Sequence, residues 1–241
     1  MHRREFVAAV ASLAALPSAF GGTAVALTEG TSGHPRLLVS LAEWTGLAAR
    51  RKADPDLDRF ATVLLNHARK DIEQPPLERK LDGRRLLGVS REFIRRVLIW
   101  AFAYRTTGDA AFRDRARREM LAVAAFADWN PSHYLDVAEM TAGMAIGYDW
   151  LFNDLPADER TNIRQTIVGK GIGQARHGHK TFRSTNNWSQ VCIGGMVLGA
   201  LAVQEDEPEL ARDLLAAAQK DVFIGLNAYR PDGVYPEGPG Y

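Results

Sequence analysis

Residues able to do acid–base or hydrogen-bonding chemistry concentrate in three short segments of the 241-residue sequence. The segments are 129–134 (WNPSHY), 184–190 (STNNWSQ) and 235–241 (YPEGPGY). Each combines aromatic rings with amides, a carboxylate or an imidazole, and the turn residues indicate loops, where functional side chains concentrate. Aromatic rings stack on the apolar faces of sugars, whereas amides and acids pair with sugar hydroxyls. The three segments therefore predict a carbohydrate site.

Each candidate residue also has a purely structural interpretation. Asn186 is a good helix N-cap, because its side chain can accept a hydrogen bond from a free backbone N–H. His133 could be satisfied at the edge of the core, and Trp188 could serve packing alone. Glu139 is the most informative, since an acid on a predominantly apolar helix needs a partner, either an arginine or a ligand.

Composition excludes several other functions. The chain has 30 Lys and Arg against 29 Asp and Glu, so it lacks the basic footprint that is typical of nucleic-acid binding. Cys192, the only cysteine, lies among apolar residues and glycines, which favours a packing role. His177 and His179 have no third ligand nearby, so we expect a polar loop there, with no metal and no cofactor.

Residues 1–26 are typical of an export signal. Arg3 and Arg4 precede the apolar stretch 8–19, and residues 24–26 (AVA) offer a cleavage site. The paired arginines resemble a twin-arginine signal, and an ordinary secretory signal is the alternative. The stretch is shorter than the roughly 20 residues that a bilayer-spanning helix needs. We therefore expect a periplasmic or secreted protein without a membrane anchor after cleavage.

The elements that must position the three segments are helices. Apolar periodicity and capping residues predict about eight of them, over 41–52, 56–72, 90–107, 110–126, 134–152, 156–173, 187–203 and 208–228. No alternating pattern of strand type accompanies them. The sequence therefore predicts an all-α fold.

The helices alternate in character along the chain. The stretches 93–103, 135–152 and 187–203 are mostly apolar, which is typical of buried helices, and those between them are amphipathic. This alternation predicts inner and outer layers, as in an incomplete α/α toroid built from helical hairpins. A single-layer helical solenoid would alternate too, but no repeat of fixed period is present. Connections that enter inner helices fall at one end, so the three segments should converge.

Several stretches together resemble the heparinase II/III-like and alginate lyase family of polysaccharide lyases. They cover nearly the whole chain after the signal, in the family's order: 34–38 (HPRLL), 128–133 (DWNPSH), 147–151 (GYDWL), 186–192 (NNWSQVC), 231–233 (PDG) and 235–241. The resemblance implies a toroid over residues 27–241 and a C-terminal β-sandwich domain beyond them. The chain would then be cut inside its active-site loop, and this fragment alone would show little activity.

The activity implied by the resemblance is β-elimination on an acidic, uronic-acid-containing polysaccharide or oligosaccharide. By position, Asn186 would neutralise the substrate carboxylate, and Tyr241 would protonate the leaving oxygen. Asn187 is also a catalytic candidate. It occupies the position where the family often has His, but an amide cannot act as a base. Tyr241 could then transfer both protons, or a His from the absent domain could help.

The remaining side chains would bind substrate. Gln190 and Glu237 would orient neighbours or bind hydroxyls, and His133 would line the cleft. Further contacts are expected from Tyr134, Glu139, Trp188 and Tyr235.

Two other functions remain open from sequence. One is a non-catalytic, carbohydrate-binding toroid that has lost its base, which would explain why Asn187 stands where the family often has His. An α/α-barrel glycoside hydrolase would need two carboxyl groups about 5–9.5 Å apart, and Glu139 with Glu237 is the only pair to nominate.

Overall fold

The computed structural model describes residues 33–234, and no β-strand occurs among them. The α-helices are α1 (Leu41–Ala53), α2 (Pro55–Asp71), α3 (Leu87–Thr107), α4 (Ala110–Ala124), α5 (Tyr134–Leu151), α6 (Ala157–Thr166), α7 (Trp188–Val203) and α8 (Pro208–Leu226). A π-helical turn (Ile167–Gly171) continues α6, and short 3-10 turns fill several connections. The prediction of an all-α fold is confirmed.

Some predicted features lie outside the described residues. They are the export signal at 1–26 and the candidate residues Tyr235, Glu237 and Tyr241. Within residues 33–234, no helix combines the length and the apolar character needed to cross a bilayer.

Local sequence accounts for where the helices begin and end. Ser40 and Glu43 form a capping box, in which the Glu43 amide donates to Ser40 Oγ and the Ser40 amide donates to the Glu43 carboxylate. Asp54 caps α2 directly before Pro55. Gly108 ends α3 in the left-handed conformation, with a φ of 73°. The start of α3 at Leu87 lies three residues before the predicted start.

The helices form an inner layer of α3, α5 and α7 and an outer layer of α4, α6 and α8. In the inner layer α5 lies between α3 and α7, while α4 packs on α3 and α8 packs on α7. Of the 18 residues of α5, all are buried except Glu139 and Ala142, which are half-buried. Because α5 is enclosed on nearly every side, Glu139 must face either a protein partner or an opening.

A glycine allows α5 and α7 to approach each other closely. A Cβ added at Gly195 of α7 would lie 2.2 Å from the carbonyl oxygen of Ala138 in α5, far inside van der Waals contact. The adjacent Gly194 has nothing within 4 Å of its added Cβ and is exposed. The close approach of α5 and α7 therefore depends on Gly195 and not on Gly194.

This difference gives a matched pair of substitutions. We expect Gly195→Ala to lower the free energy of unfolding by about 3 kcal/mol or more, because the methyl group must push two backbones apart. Gly194→Ala should raise it by about 0.5–1 kcal/mol, since alanine is the better helix former. Urea unfolding of both variants measures this. Equal effects would show that α5 and α7 are not in backbone contact at Gly195.

Candidate functional site

A cavity of about 540 Å³ opens at the N-terminal ends of the three inner helices. Its lining residues are Arg85, Leu87, Arg91, His133, Leu135, Glu139, Asn187, Trp188 and Val191. Residues of α3, α5 and α7 meet here because the outer helices return the chain to the same end each time. Two of the predicted segments, 129–134 and 184–190, thus reach one cavity, and the third lies outside the described residues.

The His133 side chain is held by a buried carboxylate. Its Nδ1 lies 2.9 Å from Oδ1 of Asp136, which is fully buried in the first turn of α5. The other carboxylate oxygen, Oδ2, accepts from the backbone N–H of Leu86 at 2.7 Å and from Asn130 Nδ2 at 2.7 Å. Three chain segments therefore meet at one carboxylate beside the cavity.

The loop before α5 has the shape that Asn130 permits. Asn130 adopts a left-handed conformation, with a φ of 59°, which asparagine tolerates better than most residues do. Its amide Nδ2 also donates to the carbonyl of Arg84 at 2.8 Å, and its Oδ1 accepts from Ser132 Oγ. These bonds fix the loop against the segment that leads into α3, so His133 enters the cavity from a well-supported backbone.

Glu139 is the acid of the cavity and has two partners. Its carboxylate accepts from Ser90 Oγ at 2.8 Å and lies 3.4 Å from Nε of Arg91, whose side chain is mostly exposed. Burial raises the pKa of Glu139 above its ordinary value, against the smaller lowering effects of Ser90 and Arg91. The interpretation of Glu139 as an acid with a structural arginine partner therefore holds, and Glu139 also reaches the cavity.

Positive charge exceeds negative charge in the cavity lining. Arg85 and Arg91 supply two guanidinium groups against the single carboxylate of Glu139. Arg85 is exposed, and its side chain has no hydrogen bond or ion pair within residues 33–234. The N-terminal ends of α3, α5 and α7 add the positive ends of their helix dipoles. The electrostatic character of this opening favours an anionic ligand.

The start of α7 brings amides and an indole to the cavity. Asn186 Oδ1 accepts from the Trp188 backbone N–H at 3.2 Å, but the N-cap of α7 is Asn187 and not Asn186. Asn187 and Trp188 line the cavity, whereas Asn186 is exposed beside them. The Trp188 and His133 rings meet edge to face, with centroids 5.0 Å apart. This pair forms an aromatic wall.

Two predicted binding residues lie away from the cavity. Tyr134 is buried, with its hydroxyl 3.5 Å from Met196 Sδ, and its ring stacks on the imidazole of His179 at 3.7 Å. Desolvation strongly raises the pKa of Tyr134. Gln190 points toward α8, where its amide would collide with a Cβ at Gly225. Neither side chain is among those that line the opening.

Sequence reasoning missed Arg85 and Arg91. The helix was predicted to start at Ser90, so Arg85 lay in a segment with no predicted structure and Arg91 lay at the predicted helix start. A helix start at Leu87 would have placed both arginines around the first turn of an inner helix, beside the two loops. His179 was expected only as part of a polar loop, but its imidazole stacks on the ring of Tyr134.

The described residues contain no cluster of three or more His, Cys, Asp or Glu side chains that could hold a metal ion. Comparison of the sequence with protein-family models gives no match, and no curated protein matches it.

The raised pKa of Glu139 predicts how stability depends on pH. A raised pKa means that the folded state binds the proton more tightly, so this contribution is present at low pH and is lost as pH rises through the folded pKa. Glu139→Gln keeps an acceptor for Ser90 without the charge. We therefore expect it to be more stable than the wild type at neutral pH, with the difference disappearing toward acidic pH in thermal unfolding.

Glu43 is the matched control because its pKa shifts the other way. The capping box with Ser40 lowers the pKa of Glu43. Glu43→Gln should therefore be less stable than the wild type at neutral pH, again with convergence on acidification. If Glu139→Gln were instead less stable than the wild type at neutral pH, the ion pair with Arg91 would contribute more to stability than the burial of the Glu139 charge costs.

Proposed function

We propose that the protein is a polysaccharide lyase that cleaves uronic-acid-containing chains by β-elimination. The observation that carries the proposal is the cavity at the N-terminal ends of the inner helices. It combines an excess of guanidinium groups, an aromatic wall and an oriented imidazole in one opening. An acidic sugar needs each of these features: positive charge for its carboxylate, an aromatic face for its ring, and groups that move protons.

The proposed architecture is an incomplete α/α toroid built from helical hairpins. It is supported by the inner layer of α3, α5 and α7 and by the outer helices that return the chain between them. In such an arrangement each further hairpin would extend the cavity wall. Tyr241, which the proposal also assigns to the site, lies outside the described residues.

β-Elimination sets three chemical demands. The substrate carboxylate must be neutralised so that the C5 proton becomes acidic, a base must remove this proton, and an acid must protonate the departing glycosidic oxygen. Arg85 and the amides of Asn186 and Asn187 are suited to the first demand, because cationic and amide donors stabilise the charge that develops on the carboxylate. Tyr241 is the proposed acid. Trp188 would support the sugar ring.

A glycoside hydrolase is the second candidate, and one observation favours it. Burial raises the pKa of Glu139, which is the shift that a general acid needs. Its partner carboxylate would be Glu237. The two candidates differ in their products, because a lyase creates an unsaturated sugar and a hydrolase creates only a reducing end.

Substitution of Tyr241 tests the proposal. Full-length protein incubated with uronate polymers should generate the ultraviolet absorbance of a C4–C5 double bond conjugated to the carboxylate. Tyr241→Phe should lower kcat about 10²- to 10⁴-fold, since it removes the general acid. Tyr104→Phe removes a hydroxyl at the opposite end of α3, where it bonds to Asp154, and should keep kcat.

The possible products separate the candidate functions. New reducing ends without ultraviolet absorbance would replace the lyase with the hydrolase. Oligosaccharide binding without either product would indicate a binding module.

The charge of the cavity gives a second test. Arg85→Gln should raise KM for a uronate oligosaccharide about 10- to 150-fold, because a hydrogen bond to a charged group is worth about 1.5–3 kcal/mol. Arg84→Gln is the matched control, since Arg84 is also exposed but does not line the cavity. Both variants lose one unit of charge. Equal effects on KM would mean that only the overall charge matters and would remove Arg85 from the site.

A further inference from the structure

The imidazole of His133 has one nitrogen engaged and one available. Nδ1 contacts Asp136 Oδ1 at 2.9 Å, while Nε2 has no hydrogen-bond partner within residues 33–234. The His133 side chain is 14% exposed and lines the cavity, so its ring borders the candidate site. The free nitrogen is thus within reach of a bound ligand.

The surroundings of Asp136 determine which nitrogen carries the proton. Two of its neighbours, the Leu86 backbone N–H and Asn130 Nδ2, can only donate, so they favour a carboxylate that accepts. A carboxylate at Oδ1 in turn requires His133 to donate from Nδ1. In the neutral imidazole Nε2 then has the lone pair, which is the arrangement that a general base needs.

We propose that His133 is the base that removes the C5 proton of the uronate and that Asp136 is the residue that positions it. The inference rests on the proposed function and supplies the base that Asn187 cannot provide. It also moves this step to a residue within the toroid, so that neither a second domain nor Tyr241 has to perform it.

The proton transfers balance with these residues. The C5–H bond breaks and the proton passes to His133 Nε2, while the bonding electrons form the C4–C5 double bond. The bond from C4 to the glycosidic oxygen breaks, and this oxygen takes the proton of Tyr241. The imidazolium then releases its proton to water, and the tyrosinate regains one from water, so that both groups return to their starting states.

Two variants separate a base from a structural role. His133→Asn puts an amide N–H close to the position of Nδ1, so it can still bond to Asp136 but cannot accept the C5 proton. We expect normal folding, unchanged Kd for an oligosaccharide and a kcat that falls about 10²- to 10⁴-fold. His133→Gly, a tolerated residue at a helix N-cap, should be slow as well, and added imidazole should restore part of its rate.

Asp136→Asn tests the positioning role. Its amide oxygen can still accept from Leu86 and Asn130, but its NH₂ group would face Nδ1 and force the imidazole proton onto Nε2. We expect kcat to fall at least 10²-fold while KM stays within about threefold of the wild type, since the base is present in the wrong tautomer. A change in KM alone would overturn the positioning role.

The remaining outcomes distinguish failure of the lyase function from failure of the assignment of His133 as the base. If the wild type yields no unsaturated product from any uronate polymer, the lyase function itself fails. If the wild type is active and His133→Asn keeps more than a tenth of its kcat, only the assignment of the base fails. Failure of imidazole to accelerate His133→Gly would also overturn that assignment. His67→Asn, at an exposed position on α2, serves as the control and should match the wild type.

Discussion

The carboxylate of Asp136 is the interaction on which the candidate site depends. It lies in the first turn of α5 and accepts from the segment before α3, from the loop before α5 and from His133. Burying an ionised carboxylate is costly unless donors surround it, and here three donors do. Because those donors belong to separate stretches of chain, this carboxylate fixes the ends of two inner helices relative to each other and so defines one side of the cavity.

The same arrangement occurs at two other places in the fold. Asp149, at the other end of α5, accepts from the backbone N–H groups of Arg36 and Leu37 and from His34. Glu119 of α4 accepts from the Leu77 backbone N–H and pairs with a buried arginine. In each case a helix supplies the buried acid, and an irregular segment supplies the backbone N–H groups that donate to it. A fold of packed helices has no sheet edge to satisfy such segments, so buried carboxylates satisfy them instead.

The sequence predicted the part of this structure that periodicity determines. The positions and characters of the helices follow from local apolar patterns, and the shared end of the inner helices follows from hairpin connectivity. Long-range polar contacts leave no such pattern, since Asp136 bonds to a backbone N–H 50 residues away and Asp149 to one 113 residues away. Side-chain direction was missed for a similar reason. Trp188 and Gln190 are two positions apart on α7, so they point in different directions, one to the cavity and one to α8.

The enclosed character of α5 also explains why the chemistry gathers at its first two turns. The polar side chains of α5 that reach the cavity lie where its N-terminal end meets the opening, and there its own unpaired N–H groups add positive potential. Glu139 lies at the limit of this region, where burial already raises its pKa. His133 lies at the very start, where its Nδ1 contacts Asp136 and its ring borders the cavity. The depth of each group along α5 therefore decides how far it is removed from solvent and which neighbours it meets.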